Sequence, residues 1–150
     1  MNAPILMASH VVFGLMGILA ALVVLVDLQN LSSNNVRRIK LLSWVVAAGI
    51  ILSYILGGFW YVTHYAVDKE IIKAGSWPWA HNLVMEIKEH TFFMILILSG
   101  FLPLLLSQLR SSDDFKYLSL AKSSSALIVI LGLMMEASGA VIALGVRMGL

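Results

Sequence analysis

The chain contains no cysteine and only three prolines in 150 residues. Without cysteine there is no disulfide, no thiolate metal site, no iron–sulfur cluster held by thiolates and no covalent haem attachment. Charge is also scarce: Asp, Glu, Lys and Arg make up 12% of the sequence, half of the roughly one quarter usual in soluble domains. Missing too are an internal repeat, a low-complexity tract, a nucleophile triad, a phosphate-binding glycine loop and a zincin motif. The net charge of +2 comes with no basic patch interleaved with exposed aromatics, so nucleic acid is not an expected partner.

What is abundant is apolar surface. Hydrophobic residues reach 60% and the mean hydropathy is +0.93, more than a soluble chain of this size could cover. The expected partner is a lipid bilayer. A helix crossing the hydrocarbon needs roughly 20 apolar residues, and four segments meet that test, at about 4–26, 41–62, 81–108 and 125–146. No Lys or Arg precedes the first run, which ends at Asp27 without a small-residue cleavage signal. It is therefore expected to stay as a helix and not to act as a signal peptide. The connections are polar: 30–40 is basic, 108–122 carries Arg110, Lys116 and Lys122 against Asp113 and Asp114, and 63–80 ends in Ser76-Trp77-Pro78-Trp79. Such short links predict one all-α domain over 1–150, an antiparallel bundle of four transmembrane helices.

Lys and Arg bias sets the expected orientation. Arg37, Arg38, Lys40, Arg110, Lys116 and Lys122 lie on one side, and Lys69, Lys73 and Arg147 on the other. This places both termini and the Trp-rich loop outside, with Trp60, Tyr61, Tyr65, Trp77 and Trp79 as an interfacial belt. The expected location is the plasma (inner) membrane of a prokaryote.

Depth along each span follows from a rise of about 1.5 Å per residue. His10 falls roughly 9 Å inside the first span, His90 roughly 13 Å inside the third and Glu136 about 15 Å inside the fourth. His64 and His81 form a shallower tier. All four histidines thus sit in one half of the membrane, with Glu86, Glu89 and Glu136. Ionisable groups at such depth are costly and usually face a partner, a cofactor or a polar cavity. On a wheel of the third span, Asn82, Glu86, Glu89, His90 and Phe93 fall within an arc of about 100°, expected to face the bundle interior or a wet cavity. His81 and Lys88 fall opposite, and Lys88 either snorkels outward or pairs with Glu136 or another acid. Pro103 reads as a membrane-helix kink. Gly14, Gly17, Gly57, Gly58, Gly132 and Gly139 read as close helix packing or as room for a flat cofactor.

The leading expectation is a b-type haem in electron transfer, with quinone or a partner complex as the expected partner in electron exchange. Its iron would be held by His10 and His90, with His64 next in line and a second site on His64 and His81 conceivable. Glu86, Glu89 and Glu136 would bond ligand imidazoles or handle protons. The alternative is a non-haem iron, copper or zinc site on His10, His64, His90, Glu86 and Glu136, although the paired Glu-x-x-His pattern of di-iron bundles is missing. Remaining readings are a non-catalytic subunit of a membrane complex and, disfavoured by small size and lack of inverted repeats, a transporter.

Overall fold

The computed structural model describes residues 3–108 and 115–150. Among the described residues there is no strand, and four helices are long and apolar enough to cross a membrane.

Helix α1 (Ala3–Gln29) runs unbroken because no proline follows Pro4, which is tolerated in the first turn, and Gly14 and Gly17 are packed against neighbouring helices. Helix α2 (Val36–Ala74) is longer than the expected span: its 39 residues extend for about 58 Å. The segment from Thr63 to Ala74, expected as loop, is helical. It contains neither proline nor glycine, and Tyr65 and Ile72, seven residues apart, share one buried face against Ala80, Met85 and Ile142. The helix stops at Gly75, whose amide donates to the carbonyls of Ile71 and Ile72.

After the Trp77-Pro78-Trp79 turn, a π-helical turn (Ala80–Met85) leads into α3 (Glu86–Gln108), which carries Pro103 inside it. Helix α4 (Phe115–Arg147) starts ten residues before the expected Ser125, because Ala121 and Ser124 extend the buried face that includes Ile128. The expectations for Arg110, Asp113, Asp114 and the Lys116 side chain lie outside the described residues.

Each helix packs on two main neighbours: α1 on α2 and α4, and α3 on α4 and α2. One apolar core joins them through residues such as Val24, Ile39, Val46, Leu102, Leu106 and Ile128. Glycines set the spacing between α1 and α2. A Cβ on Gly49 would lie 2.9 Å from the Phe13 carbonyl oxygen and 3.0 Å from the Gly17 amide nitrogen, so the two backbones touch there. The link between these helices is tied by Asp27, nearly buried at 8% exposure. Arg38 holds both its oxygens, with Nε donating to Oδ2 at 2.8 Å. Such a bidentate charged pair is stronger than a neutral hydrogen bond and fixes direction as well as distance.

Candidate functional site

The register of α3 decides which polar groups enter the protein. Its inward stripe is Met85, Lys88, Phe92, Ile95, Ser99, Leu102 and Leu106, alternating steps of three and four residues as a buried helix face requires. Ile95, Ser99, Leu102 and Leu106 are buried and Lys88 and Phe92 half-buried. The arc of Asn82, Glu86, Glu89, His90 and Phe93, expected against the bundle interior or a wet cavity, is exposed; Glu89 and Phe93 line an opening, whereas Asn82, Glu86 and His90 line none. This correction has a physical cause. The apolar residues from Phe92 to Leu106 outweigh a few polar groups near the helix end and set the rotation of the whole helix. The π-helical turn before Glu86 also breaks the angular step that a wheel extended back to residue 81 assumes.

Lys88 therefore points inward, into a cavity of about 380 Å³. Every helix contributes to the polar part of its wall: His10 from α1, Ser53 from α2, Lys88 from α3 and Glu136 from α4. Asp68, on the part of α2 that the sequence suggests is a loop, lines it as well. The floor is apolar, formed by Ile18, Ile50 and Ile95.

Small residues make these approaches possible. The His10 ring lies against α2, its Nδ1 2.8 Å from the Ser53 carbonyl oxygen and 3.0 Å from the Ser53 hydroxyl. The same hydroxyl donates to the His10 carbonyl at 3.0 Å. Any Cβ at Gly57 would lie 2.6 Å from His10 Nδ1, so the ring occupies the space that glycine leaves. Glu136 Oε1 sits 3.1 Å from where a Gly14 Cβ would be, with Ser53 Oγ 3.2 Å from the same point. Lys88 Nζ lies 3.2 Å from the corresponding position at Gly139, one turn along α4 from Glu136. Lys88 and Glu136 share the cavity without a direct ion pair: among the described residues Arg38–Asp27 is the one salt bridge.

Hydrogen bonding of Nδ1 to a carbonyl fixes the imidazole tautomer and leaves Nε2 as the acceptor. The cavity thus brings together an imidazole, an amine and a carboxyl group. In low dielectric these act strongly on whatever they face.

A second opening of about 360 Å³ adjoins the first and shares His10, Trp60, Lys88 and Phe92 with it. It runs beside Gly57 and Gly58 between α2 and α3, walled by Tyr54, Tyr61, Glu89 and Phe93. Tyr54 and Phe92 stack with ring centres 4.9 Å apart and planes at 12°.

The other candidate residues are placed elsewhere. His90 is exposed and turned onto its own helix, with Nδ1 2.7 Å from the Glu86 carbonyl oxygen. It lines neither cavity, and neither do His64, His81 and Glu86. His81 Nδ1 is 2.9 Å from the hydroxyl of buried Tyr65, a contact that braces the π-helical turn against α2. The structure does not bring His10 and His90 together: His10 lines both openings and His90 is exposed. Nor, among the described residues, does any group of three or more His, Asp or Glu come together as metal ligands. Lys88, absent from the expected site, is the residue that joins His10 and Glu136, and its place on the three-four stripe of α3 was the signal for it.

No protein-family model, curated protein or solved structure matches the chain.

Proposed function

We propose that this protein is a membrane-embedded proton-exchange site, in which His10, Lys88 and Glu136 pass protons to and from a group bound among them. The observation that carries this reading is the inward turn of Lys88 into a cavity that also holds His10 and Glu136. Keeping three ionisable groups at that depth without a direct ion pair is expensive, and packing alone gives no reason to retain them. An apolar side chain at Lys88 would continue the inward face of α3 at less cost.

The surrounding arrangement we propose is an antiparallel four-helix bundle in a prokaryotic plasma membrane with both termini outside. Supporting the direction of the helices, His10 meets Gly57 where Gly17 meets Ile50, and Gly14 meets Glu136 where Ile18 meets Gly132. Supporting the sidedness, Arg37, Arg38 and Lys40 stand in the first turns of α2, just past the link from α1. Asp68 at the far end of the cavity then faces the outer side, and the isoleucine floor blocks proton passage to the inner side.

Infrared difference spectra of the protein in lipid nanodiscs, taken between acidic and alkaline buffer, test the proposal. A carboxyl stretch that titrates in wild type and disappears in Glu136→Gln is expected, and its position should move in Lys88→Met. If spectra of wild type and Glu136→Gln coincide, Glu136 exchanges no proton and the proposal fails. A Soret band in the purified protein would replace this reading with a haem site on His10.

A further inference from the structure

The opening between α2 and α3 has no role in proton exchange as such, and its chemistry differs from that of the cavity. Its walls are rings: Tyr54 stacked on Phe92, with Phe93 tilted against Tyr54 at 6.4 Å. Its inner end holds His10 and Lys88. Gly58 lies beside it, and a Cβ there would meet nothing within 4 Å, so missing side chains keep the passage wide at that level. Gly57 and Gly58 fall within the apolar part of α2, before Val62, so the passage faces hydrocarbon and not water.

We infer that the opening admits a lipid-soluble carbonyl-bearing ring, of the quinone class, sideways from the membrane, with its ring against Tyr54, Phe92 and Phe93 and a carbonyl oxygen at the Lys88 ammonium. The inference rests on the proton-exchange reading for the Lys88 donor and concerns binding alone: the ring is held there, with no proton or electron transferred to its carbonyl. A flat ring suits the outer face of the Tyr54–Phe92 stack and the edge that Phe93 offers beside it. A carbonyl accepts a hydrogen bond from an ammonium, which has three donors and no acceptor capacity. An aliphatic tail is at home in the lipid that the passage faces. A phospholipid meets the last two conditions, through its ester carbonyls and its acyl chains, but not the first, since acyl chains gain nothing from stacked rings.

The experiment is equilibrium binding of decyl-benzoquinone to the protein in nanodiscs, for wild type, Gly58→Phe and Lys88→Met. Saturable binding at one site per chain is expected, weakened about tenfold or more by each substitution. Gly58→Phe fills open space, so its fold should persist, and the infrared titration of Glu136 should remain in it as the check. Absence of saturable binding in wild type, with the Glu136 titration intact, overturns the quinone inference alone. Binding that both substitutions leave unchanged is partition into lipid, and overturns it equally. Loss of the Glu136 titration in wild type overturns the proton-exchange reading instead.

Discussion

Gly49→Val is expected to lower the stability of the folded protein more than any substitution of a polar group in the cavity. The three nearest atoms to a Cβ at this position are backbone: the Phe13 carbonyl oxygen at 2.9 Å, the Gly17 amide nitrogen at 3.0 Å and the Gly17 Cα at 3.1 Å. A flexible side chain could swing aside, whereas two helices must separate. In lipid the association of helices depends on such close packing, because apolar surface gains little by leaving one hydrocarbon for another. Overpacking of a core typically costs about 1–3 kcal/mol, and a branched side chain against two backbones belongs at the top of that range. Gly58→Ala is the control, since its Cβ meets nothing within 4 Å. Reversible unfolding in mixed detergent micelles should show a large loss for Gly49→Val and almost none for Gly58→Ala. The site should suffer with the fold, because the contact of Gly14 with Ser53 and the seat of His10 at Gly57 lie along the same helix pair. Equal stabilities for the two variants would mean that α1 and α2 do not touch at Gly49.

The second large effect has the opposite sign. Lys88→Met combined with Glu136→Leu should stabilise the protein by about 1–3 kcal/mol, the order of the cost of withdrawing polar groups from water without a partner. The same double variant should lose the infrared carboxyl titration and at least about tenfold in quinone affinity. Replacing Lys88 alone leaves Glu136 without the nearby cation, so the single variant should gain less than the double. A stability gained at the expense of the site is the expected pattern where charged groups are kept for chemistry. If the double variant is destabilised instead, Lys88 and Glu136 hold the helices together and their retention has a structural cause.

The four apolar spans were legible in the sequence because hydrocarbon thickness sets a length that composition alone reveals. The ends of the helices were less so. Thr63–Ala74 looks like loop by charge content, yet nothing in it stops a helix before Gly75, and Tyr65 and Ile72 give it a buried face. Depth placed His10, His90 and Glu136 at one level, but depth carries no information about rotation. His10 and Glu136 line one cavity while His90 faces outward. The wheel of α3 weighted the costly residues, whereas the helix orients by its many apolar ones. Met85, Lys88, Phe92, Ile95 and Ser99 already spell the inward stripe, and following it would have put Lys88 inside. The pairing of Asp27 with Arg38 was not foreseeable in the same way. It depends on how residues 30–35 turn, which brings one of several neighbouring cations onto a single buried acid.

The inward rotation of Lys88 is open to a direct measurement, because a chain without cysteine needs no background removed. Two double-cysteine proteins, Lys88→Cys with Glu136→Cys and His90→Cys with Glu136→Cys, would be treated in membranes with a short thiol cross-linker and digested between the helices. The first pair should link α3 to α4 and the second should remain uncoupled. Efficient linkage of the His90→Cys pair with none in the Lys88→Cys pair would mean that α3 is turned the other way and that the cavity is not lined by Lys88.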